Sequence, residues 1–392
     1  MERLGAIQEA LREAQLDGWL FYDFHNRDVI SYRILGLDLS RMTTRRWYYF
    51  IPATGAPRRL CHSVEPHKLD QLPGEKKIYL SWQSQHQLLK ESLAGARRIA
   101  MQYSPNCLIP YVSLADAGTV ELVRSFGVEV VSSANLVQRF EAHVSETAYM
   151  THVEASRRMH ALLDATFARI GERVKAGAPT EHEIQQFMLD QYRAHDLTFS
   201  DAPIVAVNAH ASDPHFEPRP DNTVAIKRGD RVLIDLWAKL NKPGSIYFDI
   251  TWMGYVGDDV PARYAEVFGI ARDARERAVA LVEERMSKGR PLAGWEVDQV
   301  CRAHIEAHGL AQYFVHRTGH SIGEEVHGNG VNIDNLETRD DRFIVPGTLF
   351  SIEPGIYLPE FGVRTEIDCY VDADRKVRIA GARQSEIVKI AC

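Results

Sequence analysis

The 392-residue sequence predicts an α+β chain of two domains: a small α/β domain over residues 1–142, then a larger one over 143–392 built from a duplicated helix–helix–hairpin unit. Three observations carry this. Short strand-like and helix-like stretches alternate up to about residue 140, and around "SSANLVQRFEAHVSETAYM" they give way to long helices. Two later stretches align at one offset, "KAGAPTEHEIQQFMLDQYRAHDL" from Lys175 and "KGRPLAGWEVDQVCRAHIEAHGL" from Lys288. Each leads into a hairpin that carries two acids among apolar residues.

Taken in order, "ERLGAIQEALREAQ" has helical periodicity with charges every few residues, so it reads as an amphipathic helix and not a signal peptide. "GWLFYDF" is strand-like, "RRWYYFIPATGAPRRLCHSV" is a hairpin about a Gly-Ala-Pro turn, and "KKIYLSW" and "RRIAMQY" are short strands. "LADAGTVELVRSFG" is a helix stopped by Gly127. In the duplicated stretches Lys175 matches Lys288, Glu183 matches Glu296, His195 matches His308 and Leu197 matches Leu310. Thr180 with Glu183 makes a capping box. Two amphipathic helices can agree by chance, but the shared order of the elements after them favours duplication. The seam between two such halves is a natural place for a pocket.

Composition narrows the function. Length alone allows two or three domains. The net charge of −7, from 46 basic and 53 acidic residues, disfavours nucleic acid as a partner. No apolar run reaches membrane-spanning length. Five scattered cysteines without a C-x-x-C fit cytosolic thiols better than disulfides or zinc knuckles.

The first hairpin, "RVLIDLWAKLNKPGSIYFDITW", holds Asp235 and Asp249. A loop centred near Lys242 would set them directly opposite each other. The second, "TLFSIEPGIYLPEFGVRTEIDCYV", turns at Pro359–Glu360 and sets Glu353 across from Glu366. Opposed residues have Cβ atoms only about 4.5–5.5 Å apart, and like charges there are destabilising. Such pairs must share a proton, meet a cation or find water. A divalent metal site turns the four acids from a cost into ligands, and a histidine would add a nitrogen. "HRTGHSIGEEVHG" (residues 316–328) supplies three histidines. Its "GHSIG" is no nucleophile elbow, since no long helix follows Ser321 and the only later histidine is His327. Nor is it a zinc helix, since H-E-x-x-H is absent and Gly319, Gly323 and Gly328 oppose a helix.

"LIDLWA", "FDITW", "HRTGHSIGEEVHG", "SIEPGIY" and "GVRTEID" occur in the order found in the pita-bread metallopeptidases, and from about residue 150 the chain resembles that family: prolidase, Xaa-Pro aminopeptidase and methionine aminopeptidase. Its N-terminal part is similar to the domain shared by prolidase, Xaa-Pro aminopeptidase and creatinase. The resemblance implies a pita-bread catalytic domain binding two divalent ions through Asp235, Asp249, His320, Glu353 and Glu366, with Asp249 and Glu366 bridging. A mostly oxygen donor set makes Mn²⁺ the first choice, with Co²⁺ or Zn²⁺ as substitutes. It implies attack by a metal-bridging hydroxide, with Glu353 shuttling the proton from that nucleophile to the leaving nitrogen and His327 at the scissile peptide or its leaving nitrogen. His215, from "ASDPHFEP", and His316 would line the substrate pocket, with Arg364 as a further substrate contact; His210 lies off the motif. Arg339 in "DNLETRDDRF" is the candidate for a dipeptide's carboxylate, although Asp340 and Asp341 could simply pair with Arg339 and Arg342. Two departures stand out: the aspartates lie fourteen apart, three more than usual, and Trp252 stands where the family often has arginine. The expectation is a cytoplasmic, homodimeric Xaa-Pro dipeptidase acting on peptides with proline second, without nucleic-acid or membrane partners. The alternatives are an aminopeptidase on longer peptides, a hydrolase of a non-peptide amide, and a binding module with a dead site.

Overall fold

Strand β1 (Gly18–Asp23) shows how the first unit is built. All six residues are buried, and they alternate between two cores. Trp19 and Phe21 pack with helices α1 (Glu2–Glu13), α2 (Val29–Leu35) and α5 (Ala134–Phe140), whereas Leu20 and Tyr22 pack with α3 (Trp82–Ser92) and α4 (Ala117–Ser125). A strand buried on both faces must lie inside its sheet. It does: β1 pairs antiparallel with β2 (Trp47–Pro52) and parallel with β5 (Arg98–Met101). Strands β3 (Arg58–His62) and β4 (Glu75–Tyr79) extend one side and β6 (Glu129–Ser132) the other. The hairpin about Gly-Ala-Pro is β2–β3, paired Phe50↔Arg58. Gly127, at φ 84°, takes the left-handed conformation just past α4.

The computed structural model describes residues 2–392 and divides into a unit ending at Glu141 and a unit spanning Ala142–Cys392. The second unit runs through helices α6 (Glu146–Ala176) and α7 (Glu181–Ala194), short strands β7 (Leu197–Thr198) and β8 (Ile204–Val207), and the hairpin β9 (Arg231–Leu240) with β10 (Phe248–Val256). Helices α8 (Ala262–Ser287) and α9 (Gly294–Ala307) then repeat the helix pair. Adding 113 to the bounds of α7 (181 and 194) gives those of α9 (294 and 307), so the sequence alignment is matched helix for helix. The capping box is formed, Thr180 Oγ1 accepting from Glu183 N–H and Glu183 Oε2 from Thr180 N–H. At the equivalent place Glu296 Oε2 accepts from Ala293 N–H at 2.8 Å.

After α9 come β11 (Leu349–Ile352), β12 (Gly355–Leu358), β13 (Phe361–Arg364), β14 (Ile367–Val371), β15 (Val377–Ile379) and β16 (Val388–Ile390), the last returning to pair with β10. Period-two alternation positions the site. On β9 and β10, Val232, Ile234, Leu236, Ala238, Phe248 and Ile250 pack into the core with α6 and α7. Asp235, Trp237, Asp249 and Thr251 therefore face the other way. All five cysteines are free, and no helix is long and apolar enough to cross a membrane, among the described residues.

Candidate metal centre

The two hairpins deliver the acids differently. In the second, Ile352 pairs with Ile367 and Gly355 with Arg364, so the same register places Glu353 across from Glu366, as expected. The first departs from expectation. Asp235 pairs with Thr251 and Asp249 with Trp237, so the aspartates are diagonal neighbours and not directly opposed. Beyond Ala238 the end of β9 pairs only on its other edge, where β7 meets Leu240 and Lys239. The last β9–β10 pair is then Ala238↔Phe248, which centres the turn at Pro243, one residue beyond Lys242.

His320 reaches the acids because its loop presses against β11. A Cβ on Gly319 would stand 1.9 Å from the Ser351 carbonyl oxygen, an approach only glycine permits. The His320 N–H donates to Ser351 Oγ at 3.0 Å and its carbonyl accepts from Ser351 N–H at 2.9 Å. Nδ1–H donates to the Ser321 carbonyl at 3.2 Å, which leaves the Nε2 lone pair facing Asp249 Oδ2 at 3.6 Å and Glu353 Oε1 at 3.4 Å.

Ligand-capable atoms of Asp249, His320 and Glu366, all buried, lie within 4.8 Å of one another. Asp249 Oδ1 and Glu366 Oε1 are buried without a hydrogen-bond partner. Unpaired buried carboxylate oxygens are costly. Burial, followed by the neighbouring carboxylates, pushes both groups well above the ordinary carboxylate range, and burial pushes Glu353 up as well. Against Asp235, Asp249, Glu353 and Glu366 stands one buried guanidinium, Arg364, which pairs with Asp235. Oxygen-rich donors, unpaired lone pairs and uncompensated negative charge together fit divalent cations.

Arg364 also donates to Thr251 Oγ1 at 2.9 Å, Tyr357 Oη at 3.0 Å and the Pro214 carbonyl at 3.2 Å. Thr251 Oγ1 lies 2.8 Å from Glu366 Oε2 and 3.1 Å from Asp235 Oδ1. Tyr357 Oη donates to His316 Nε2 at 2.7 Å, while His316 Nδ1–H donates to the Arg317 carbonyl at 2.7 Å. Burial and then the Arg364 charge lower His316 to about 3, so its imidazole stays neutral. The His327 ring is 4.3 Å from that of His320; the His320 charge and then burial lower it to about 3. His215 is exposed beside Pro214, and its charge bears on both His316 and His327. His210 is instead held by Glu181, at 2.9 Å.

Arg339 is not brought to the acids. It is exposed, with its guanidinium 4.5 Å from the Trp295 ring centre, and no hydrogen bond or ion pair joins it to the five candidate ligands. Arg342 is a buried structural residue, bidentate to Asp340 at 2.9 and 2.6 Å. Trp252 packs against His160 on the α6 side, away from the acids. Ser321 Oγ accepts from Gly330 N–H at 3.0 Å. Three residues escaped the sequence reading: Thr251, Tyr357 and Asp368, whose Oδ2 accepts from Asp249 N–H at 2.8 Å. Thr251 and Asp368 lie two residues from a candidate ligand, on the same strand face, and that spacing was the available signal.

The sequence profile described as metallopeptidase family M24 matches residues 154–373. A probable dipeptidase PepE of Mycobacterium tuberculosis is 29% identical over 273 residues, 68% of this chain. The chain thus spans 66%, just under two thirds, of that relative's length. An Xaa-Pro dipeptidase of Pyrococcus furiosus is 34% identical over 142 residues, 36% of this chain and 37% of its own length. Among solved structures, dipeptidase PepE of Mycobacterium ulcerans superposes with a TM-score of 0.70 at 25% identity, covering 99% of this chain and 97% of that one.

Proposed function

The chain belongs to metallopeptidase family M24, and from that premise we propose that it hydrolyses the peptide bond preceding proline as a two-metal Xaa-Pro dipeptidase. The observation that carries this is the buried Asp249–His320–Glu366 cluster with its partnerless carboxylate oxygens. Asp235, Asp249, His320, Glu353 and Glu366 would hold two divalent ions, Asp249 and Glu366 bridging, with Mn²⁺ preferred over Co²⁺ or Zn²⁺ for an oxygen-rich donor set. When bound, such ions supply Lewis acidity and bring a water's pKa towards neutrality.

The chain's own side chains do the rest. Glu353, pushed up by burial, is suited to take a proton from the attacking water and pass it to the leaving nitrogen. His327, exposed at the rim beside His320, can steady charge on the tetrahedral carbon's oxygen. Neutral His316 and exposed His215 would flank the proline side, with Arg364 behind them. A homodimer and a cytoplasmic location complete the reading. The test is metal analysis of protein purified without chelator, with Ala-Pro and Ala-Pro-Pro hydrolysis before and after EDTA. Cleavage of neither peptide by metal-replete protein would refute it. A second reading, an aminopeptidase on longer peptides, is favoured by one observation: Arg339 stacks on Trp295 and not beside the acids. Cleavage of Ala-Pro-Pro in preference to Ala-Pro would select it.

A further inference from the structure

Trp237 stands in the ligand array without a role. It is paired directly with Asp249 on the ladder, on the face that carries Asp235 and Thr251. Its neighbours on β9, residues 232–236 and 238, are buried, yet Trp237 remains partly exposed. Its ring touches the apolar cluster that includes Ile246, Tyr247 and Ile322, and its indole nitrogen has no hydrogen-bond partner. Buried indole N–H groups usually find an acceptor.

The hairpin orders the groups along the site. At one end, the Arg364 backbone N–H reaches Met253 Sδ at 3.5 Å, while its guanidinium donates to Tyr357 Oη, which is bonded in turn to His316 Nε2. The acids of Thr251's and Asp249's neighbourhood follow. At the other end Tyr247 N–H donates to the Gly323 carbonyl at 3.0 Å and Lys239 Nζ to the Glu324 carbonyl, so the 322–326 segment closes over it. Trp237 stands at this closed end. If the histidine end takes proline, the closed end takes the residue before the scissile bond.

Resting on the peptidase reading, we propose that Trp237 determines specificity by walling off the space for the substrate's first side chain, limiting it to small residues. The indole presents a broad rigid surface one strand spacing from Asp249, which leaves room for alanine or glycine and not for an aromatic group.

The test compares wild type, Trp237→Ala and Trp237→Phe, each with metal content measured, on Gly-Pro, Ala-Pro, Leu-Pro and Phe-Pro. The expected result is that Trp237→Ala raises the Phe-Pro to Ala-Pro ratio of kcat/KM at least tenfold, while Trp237→Phe stays within threefold of wild type. An unchanged ratio in metal-replete Trp237→Ala, or a wild type that prefers Phe-Pro, overturns the proposal. Thermal shifts with alanine hydroxamate and phenylalanine hydroxamate, which chelate metal and carry the same first side chain, read the discrimination without turnover. The alanine compound should stabilise wild type more, and Trp237→Ala should lose that preference; retention of it overturns the proposal. Hydroxamate binding without Xaa-Pro cleavage would refute the proline reading while still testing the wall. No response to either hydroxamate would refute the metal site, and the proposal with it.

Discussion

Glu366→Gln separates what the acid cluster does for function from what it does to stability. With ligand atoms no more than 4.8 Å apart, ionised Asp249 and Glu366 repel by about 3 kcal/mol at an effective dielectric near 20. Proton uptake by one of the pair relieves part of this, so the amide should stabilise the metal-free protein by roughly 1–3 kcal/mol. For a unit of this size that is roughly 2–12 °C in Tm. The shape is conserved, and the amide oxygen can still accept from Thr251, which donates to Glu366 Oε2 at 2.8 Å. Excess divalent metal should reverse the order. Wild type gains about 4.1 kcal/mol at a thousandfold excess over Kd, and the variant gains little because an amide is a poor bridge between cations. Differential scanning calorimetry in EDTA and in MnCl₂, with metal analysis, reads both effects. A variant that melts below wild type in EDTA would refute the charge argument. An equal metal-induced shift in both proteins would refute the role of Glu366 as a ligand.

Thr251→Val should lower kcat/KM for Ala-Pro by roughly 10–100-fold, since it strips a hydroxyl shared by Asp235, Glu366 and Arg364; Thr251→Ser should restore most of the loss, and a failure of serine to rescue would mean that packing, not the hydroxyl, matters. Ser321→Ala should keep most activity and cost about 1 kcal/mol for the acceptor lost to Gly330 N–H, whereas abolished activity with intact metal content would revive a nucleophilic serine. His152, buried with Nδ1–H on the Tyr247 carbonyl, is lowered by burial to about 4 from 6.5. The unfolded chain binds the extra proton first, so this stability is complete above pH 6.5 and falls by about 3 kcal/mol as the pH drops towards 4. Asp368, 3.9 Å away, is itself pushed up by burial and offers little countercharge there. His152→Gln should flatten urea-unfolding stability between pH 7 and pH 4.5, and an unchanged slope would assign the acid sensitivity elsewhere.

The legibility of the sequence followed loop length. The tight turn at Pro359–Glu360 left one register for the Glu353–Glu366 pair, and Leu358↔Phe361 realises it. The longer excursion between Ala238 and Phe248 left the register open, and the ladder settles with its turn centred one residue beyond that of the directly opposed arrangement. Helices α7 and α9 were readable because each has fourteen residues of strong periodicity. Helix α2, seven residues between Asp28 and Gly36, is set by its caps and is too short to show a period. All five candidate ligands were nameable from motif letters, yet the side chains that orient them were not. Tyr357 and Thr251 look like ordinary strand residues until the hairpins fold onto Arg364. Arg339 stands in a suggestive place in the sequence, and in the fold its guanidinium lies over the Trp295 ring.

The seam between the halves has a consequence for assembly. Asp235 and Asp249 precede the exposed Asp258–Asp259 turn, while His320, Glu353 and Glu366 follow it. A backbone nick at that turn would leave two of the candidate ligands on one fragment and three on the other, so that neither fragment alone carries the set proposed for two ions. Metal retention would then report whether the fragments have found each other, and the ion would hold together a protein whose covalent continuity had gone.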